Sequence, residues 1–210
     1  MRLARANVPP IYALTDASAG LPADEIVARL VEEGIHWIQA RADGLHDADA
    51  LTVLERAVAH LPAEVRLLVD HRIDLAVAAE ADGVHLGDRD LSPGIARRIC
   101  GGDSFIVGVS VHSVEGALAA AGDSDVDYVS IGPIFQSKIL GAPGPLGLDA
   151  IERARKRIEK PIVAFGGITA SNARSVIEAG ADTVAVVSAL YCRGSLRDNV
   201  RRLKEGVVRQ

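Results

Sequence analysis

Three of the six histidines, His71, His85 and His112, stand at or just beyond the ends of short apolar runs, "RLLVD" (66–70), "GVHL" (83–86) and "FIVGVS" (105–110). Carboxylates, hydroxyls and an arginine recur at the same kind of place: Thr15 and Asp16 after "PIYAL", Gln39, Arg41 and Asp43 around "HWIQA", then Asp70, Asp90 and Ser110. Imidazoles move protons near neutral pH, arginine grips phosphate or carboxylate, and oxygen donors hold hard cations. A single histidine at a strand end is most simply a cap on backbone groups. Three together argue for a shared site.

A second chemical signal is the stretch "IVAFGGITASNA" (162–173), where an apolar run ends in Gly166-Gly167 and Ser171 and Asn172 open a helix-like segment. Glycine tolerates positive φ and lets main-chain N–H groups approach a ligand, and a following helix N-terminus favours an anion. A phosphate suits that place, although a bare turn would read the same locally.

These residues need elements to hold them. Apolar, β-branched runs at 10–15, 36–40, 66–70, 83–86, 105–110, 127–132, 161–166 and 183–188 alternate with amphipathic segments at 22–33, 48–60, 73–79, 92–99, 113–121, 148–158, 171–179 and 195–208. Ser92, Ser113 and Ser195 are candidate N-caps. Strict alternation with doubly covered strands predicts an α/β fold, a single-domain TIM (β/α)8 barrel over residues 1–210, with a doubly wound open sheet as the alternative. "EADGVHLG", "DSDVDYVSIG" and "EAGADTVAVVS" each place an Asp just before a strand and read as connections on the face away from the chemistry. On the other face, loops seven and eight of a barrel commonly make a phosphate site, which gathers Gly166, Gly167 and Ser188. The Gly- and Pro-rich segment 132–147 after the sixth strand reads as a lid, and Lys138, one of only four lysines, lies on it.

Composition narrows the partners. A net charge of −5 argues against a nucleic-acid surface. The N-terminal "MRLARANVPP" lacks an apolar signal core, and no apolar run reaches the length of a membrane span, so a cytoplasmic protein with no membrane partner is expected. Cys100 and Cys192 form no metal or redox spacing. The oligomeric state is not specified, although exposed barrel helices commonly pair into homo-oligomers.

At these residues the chain resembles the thiamine phosphate synthase family, which includes the TenI-type thiazole tautomerases. The segments "YALTD", "IQAR", "RIDLA", "ADGVHLG", "GVSVHS", "DYVSIGPIF", "PLGL", "VAFGGIT" and "VAVVSAL" carry the likeness in order. The resemblance implies a Mg²⁺-assisted transferase that joins hydroxymethylpyrimidine pyrophosphate to thiazole phosphate. It implies that Gln39 and His85 hold the pyrimidine and that Arg41 and Ser110 meet the pyrophosphate. Asp90 would bind the metal, and Gly166, Gly167, Val187 and Ser188 would hold the thiazole phosphate; Ser137 and Lys138 on the lid are further substrate-binding candidates. Ser110, His112 and Arg41 are the catalytic candidates. The alternatives are a TenI-type tautomerase, an isomerase for which His112 would move the proton, and a noncatalytic thiazole phosphate binder.

Four positions depart from the synthase pattern. Asp43 stands where a basic residue is expected, Asp70-His71 replace an Asn-Asp pair, and Leu140 replaces a lid lysine. Charge-assisted contacts are worth roughly 1.5–3 kcal/mol each, so these changes together weaken the expected grip on pyrophosphate. Lys138 is the candidate to compensate on the lid, and Asp70 or His71 to complete the metal ligands.

Overall fold

The computed structural model describes residues 3–102, 104–136 and 144–208. Among them eight strands form a closed parallel barrel in sequence order: β1 (Ile11–Leu14), β2 (Trp37–Ala40), β3 (Arg66–Asp70), β4 (Gly83–Leu86), β5 (Ile106–Val111), β6 (Tyr128–Ile131), β7 (Ile162–Phe165) and β8 (Thr183–Val186). Closure is made by β8 against β1, with Tyr12 opposite Ala185. The helices between them are α1 (Ala23–Glu32), α2 (Asp47–Ala59), α3 (Ile73–Ala78), α4 (Pro93–Cys100), α5 (Val114–Gly122), α6 (Leu148–Arg155), α7 (Ala173–Glu178) and α8 (Leu196–Val207). The expected barrel is therefore observed, and the open sheet is not. Two of the three candidate N-caps act as caps. Ser113 and Ser195 accept N–H bonds from Gly116 and Asp198, while Ser92 precedes Pro93 at the first position of α4 without a side-chain bond.

Alternation along each strand sorts side chains between two cores. One set faces the helices and forms the main apolar layer, and the other faces the barrel axis. The axial layer is Tyr12, Trp37, Leu68, Ile106, Tyr128 and Val163, closed from the N-terminal pole by Leu3 and Val8. Tyr12 stacks on Trp37 with ring centroids 4.6 Å apart, and Tyr128 meets both edge-on. The apolar run "FIVGVS" contains one glycine because the Tyr128 ring occupies that space. A Cβ on Gly108 would lie 1.9 Å from Tyr128 Cζ.

The aspartates that precede strands fasten the N-terminal pole. Asp82, Asp127 and Asp182 accept the N–H groups of Leu67, Val107 and Ile162 on the strands before them, at 2.9, 2.8 and 2.8 Å. Each also pairs with an arginine: Arg66, Arg97 and Arg155. The repeated "D-before-strand" pattern is thus a set of brackets joining β3 to β4, β5 to β6 and β7 to β8, remote from the site.

Candidate active site

One step along the axis from the aromatic layer, the same inward face carries polar side chains. Leu14, Gln39, Asp70, His85, Ser110, Ser130, Phe165 and Val187 follow Tyr12, Trp37, Leu68, Gly83, Gly108, Tyr128, Val163 and Ala185 by two residues. They open onto a cavity of about 330 Å³. Gln39, Arg41, Asp70, His71, His85 and Ser110 form one side of its lining, and Gly166, Gly167, Val187 and Ser188 form the other. His112 also lines it.

His85 sits at the floor, 6% exposed. Its Nδ1 lies 2.7 Å from the Tyr128 hydroxyl and its Nε2 lies 2.8 Å from Ser110 Oγ; Tyr128 in turn lies 3.1 Å from the Tyr12 hydroxyl. Burial pushes the imidazole down to about 3, so it is neutral and orients its neighbours. Tyr12 and Tyr128 are residues that sequence reasoning missed. The two-residue alternation through "PIYALT" and "DYVSIG" was the signal that would have placed them beneath the site.

Gln39 donates through Nε2 to Asp70 Oδ1 at 2.5 Å. Asp70 is buried, and burial pushes its carboxyl up to about 6 against the pull of His71 and Arg41. Arg41 reaches three carboxylates: Asp43 Oδ2 at 2.7 Å, Asp70 Oδ2 at 3.3 Å and Asp16 Oδ2 at 3.4 Å. Asp43 therefore pairs with the arginine expected to meet an anion. The Arg41 backbone N–H donates to Thr15 Oγ1 at 2.8 Å.

His71 lies between the other two expected metal ligands. Its Nδ1 is 2.6 Å from Asp90 Oδ2 and its Nε2 is 3.3 Å from Asp70 Oδ2. Burial disfavours its charge, yet the Asp70 and Asp90 carboxylates hold its pKa above the ordinary histidine value. The structure thus gathers the three side chains, with His71 hydrogen-bonded to Asp90 and within ion-pair distance of Asp70. Among the described residues no three His, Cys, Asp or Glu side chains converge as a metal cage.

His112 donates from Nδ1 to the Gly132 carbonyl at 2.7 Å, and its Nε2 lies 3.5 Å from Asp88 Oδ2. Asp88 was not anticipated from sequence; its place two residues before Asp90 was the only hint.

The glycine pair has a structural cause as well as access to the cavity. Gly166 and Gly167 have φ of 92° and 66°. The segment after β6 crosses directly over them: a Cβ on Gly166 would lie 2.4 Å from Pro133 Cβ, and one on Gly167 2.6 Å from the Gln136 carbonyl. The following helix starts later than the expected 171. Asn172 accepts from the Thr169 N–H at 2.8 Å and donates to the Gly167 carbonyl at 3.0 Å, so it closes a turn before α7 begins at Ala173. Any anion here would be met by loop N–H groups. Those of Gly167 and Ser188 have no acceptor among the described residues. Ser137, Lys138 and Leu140 lie outside the described residues.

A (β/α)8 barrel whose polar side chains gather at the carboxyl ends of its strands belongs to the barrel enzymes. Residues 11–190 match the family model described as thiamine monophosphate synthase. The chain is 42% identical over 191 residues to thiamine-phosphate synthase of Koribacter versatilis, covering 88% of this chain and 90% of that protein. It is 38% identical over 199 residues to thiamine-phosphate synthase of Methanocella arvoryzae, with 92% of each chain covered. Thiamine phosphate pyrophosphorylase from Pyrococcus furiosus superposes with a TM-score of 0.86 at 30% identity, covering 97% and 96% of the two chains. The chain belongs to the thiamine monophosphate synthase family, and it is a transferase.

Proposed function

We propose that this protein joins hydroxymethylpyrimidine pyrophosphate to thiazole phosphate, giving thiamine phosphate and pyrophosphate. The observation that carries this reading is one cavity with two unlike walls, in a chain of this family. The Gln39, Arg41, His85 and Ser110 wall suits a pyrimidine with its pyrophosphate. The Gly166, Gly167, Val187 and Ser188 wall suits the phosphate of the thiazole, with backbone N–H groups as donors. The whole 1–210 chain is read as one barrel domain acting on small soluble phosphates, as suits a cytoplasmic enzyme. Among the described residues no helix is long and apolar enough to cross a membrane.

In this mechanism the bond from the pyrimidine methylene carbon to the pyrophosphate oxygen breaks, and the thiazole nitrogen captures the carbon. The barrier falls when cationic groups face the departing oxygens. Arg41 and His71 are those groups here, with Lys138 proposed to join from the lid. Ser110 donates its hydroxyl hydrogen to the leaving group, so the neutral His85 donates from Nε2 to Ser110 Oγ and accepts at Nδ1 from the Tyr128 hydroxyl. His85 stays neutral throughout, and His112 remains available through Nε2 for proton transfer. The Mg²⁺ ion that the family likeness suggests would draw on Asp70 and Asp90. In this arrangement the His71 ring separates their oxygens, so the donor set does not fit that ion and no step runs through it.

The test is to mix both substrates with the protein and follow thiamine phosphate by fluorescence. Product formation that depends on both substrates is expected. No product at high enzyme concentration would overturn the reading. Isomerisation of the carboxylated thiazole phosphate, lost in His112→Ala, would then identify a tautomerase.

A further inference from the structure

His71 is one of two non-glycine residues with positive φ among those described, at 62°. It forms the apex of a three-residue turn closed by the Arg72 N–H on the Asp70 carbonyl at 2.7 Å, while its own N–H bonds the His85 carbonyl at 2.9 Å. Such a backbone is unfavourable for a residue with a side chain and persists only where the surroundings hold it. Here the ring is held on both sides. Asp90 Oδ2 takes its Nδ1 and is itself fixed by the Gly87 N–H at 2.6 Å. Gly87 leaves room for the ring, since a Cβ there would lie 3.2 Å from His71 Cε1. On the other side Asp70 faces only donors: Gln39, Arg41 and the His71 Nε2. The ring therefore fills the space between the two carboxylates, with one nitrogen turned toward each.

We propose that the His71 ring occupies the place a divalent cation would need between Asp70 and Asp90, so that this set of side chains does not fit such an ion. A metal ion entering there would have to displace the ring from both carboxylates and reorganise a backbone turn that the two hydrogen bonds hold. It would gain little from the imidazole, because hard cations of the Mg²⁺ kind prefer oxygen donors. The inference rests on the reading that this wall meets pyrophosphate, but it concerns the ion and is tested on the ion.

The probe is Mn²⁺ alone, titrated into the ligand-free protein near neutral pH and followed by the electron paramagnetic resonance signal of the free ion. The wild type should leave that signal standing. His71→Asp should bind Mn²⁺ at least about tenfold more tightly, because a ring that fills the gap is exchanged for an oxygen ligand. Aspartate and asparagine tolerate positive φ better than other side chains, so His71→Asp and His71→Asn both suit this backbone. In selectively labelled wild type, the His71 ring signals should remain unbroadened when Mn²⁺ is added. Stoichiometric broadening of that ring, or wild-type affinity equal to that of His71→Asp, would overturn the proposal. Should His71→Asp fail to fold, His71→Asn and the ring signals decide alone. None of these readouts requires turnover: a failed synthase assay leaves them intact, and tight wild-type Mn²⁺ binding would remove this inference without touching the synthase reading.

Discussion

His85 and Ser110 are joined across adjacent strands by a 2.8 Å contact, from Nε2 to Oγ, at the floor of the cavity. The histidine is neutral in the fold, with its pKa pushed down by burial to about 3, below its ordinary value of 6.5. The unfolded chain therefore binds a proton that the fold does not. The stabilisation linked to His85 is full above about pH 6.5 and is lost as pH falls, by about 2 kcal/mol on reaching pH 5. Urea unfolding of wild type and His85→Gln should show the stability gap shrinking by that amount between neutral pH and pH 5. A gap independent of pH would mean that the buried ring is not the titrating group.

Asp43 pairs with Arg41 at 2.7 Å and so competes with any anion for that guanidinium. Asp43→Lys removes the competitor and adds a cation. Pyrophosphate affinity measured by calorimetry should rise about tenfold, while thiazole phosphate affinity, set across the cavity, should barely move. Equal pyrophosphate affinity in the two proteins would show that Asp43 exerts no control.

Gly167→Ala combines a positive φ with a collision against the Gln136 carbonyl. Gly101 has a similar φ of 70° with nothing within 4 Å, so Gly101→Ala measures the backbone part alone. The Gly101 change should cost about 1 kcal/mol in denaturant unfolding, and the Gly167 change about 3 kcal/mol or more, because overpacking adds to the strain. Gly167→Ala should also lose thiazole phosphate binding. Matching losses of stability would show that the segment over Gly167 yields easily.

Gly108→Ala places a methyl group inside the Tyr128 ring and should destabilise the barrel by about 3 kcal/mol. Combined with Tyr128→Leu, it should cost clearly less than the sum of the two single changes, since the colliding ring is gone. Strict additivity in unfolding experiments would place the strain elsewhere.

The barrel was legible because its signals are local and repeated. Each strand is an apolar run, each is followed by an amphipathic segment, and the rule that chemistry lies at strand ends selected Gln39, Arg41, Asp70, His85 and Ser110, which the structure does bring together around one cavity. What sequence spacing left open was pairing. Asp43 could point to solvent, oppose an anion or bind Arg41, and only geometry fixes the last. Likewise the adjacency of Asp70 and His71 said nothing about Asp90, which reaches His71 from nineteen residues away. The late start of α7 was hidden because Ser171 and Asn172 suit a helix opening and a turn equally; the bonds of Asn172 to Thr169 and Gly167 favour the turn.

The arginine–aspartate brackets at the N-terminal pole join β3 to β4, β5 to β6 and β7 to β8, and no such bracket joins β1 to β2 among the described residues. Of the four odd-to-even seams three are thus stitched, and at the fourth His36 stands at the position the aspartates take elsewhere. Amide exchange by local opening should accordingly be fastest along the β1–β2 seam. That seam ends at Gln39 and Arg41, so its opening would loosen the cavity wall that these two residues line.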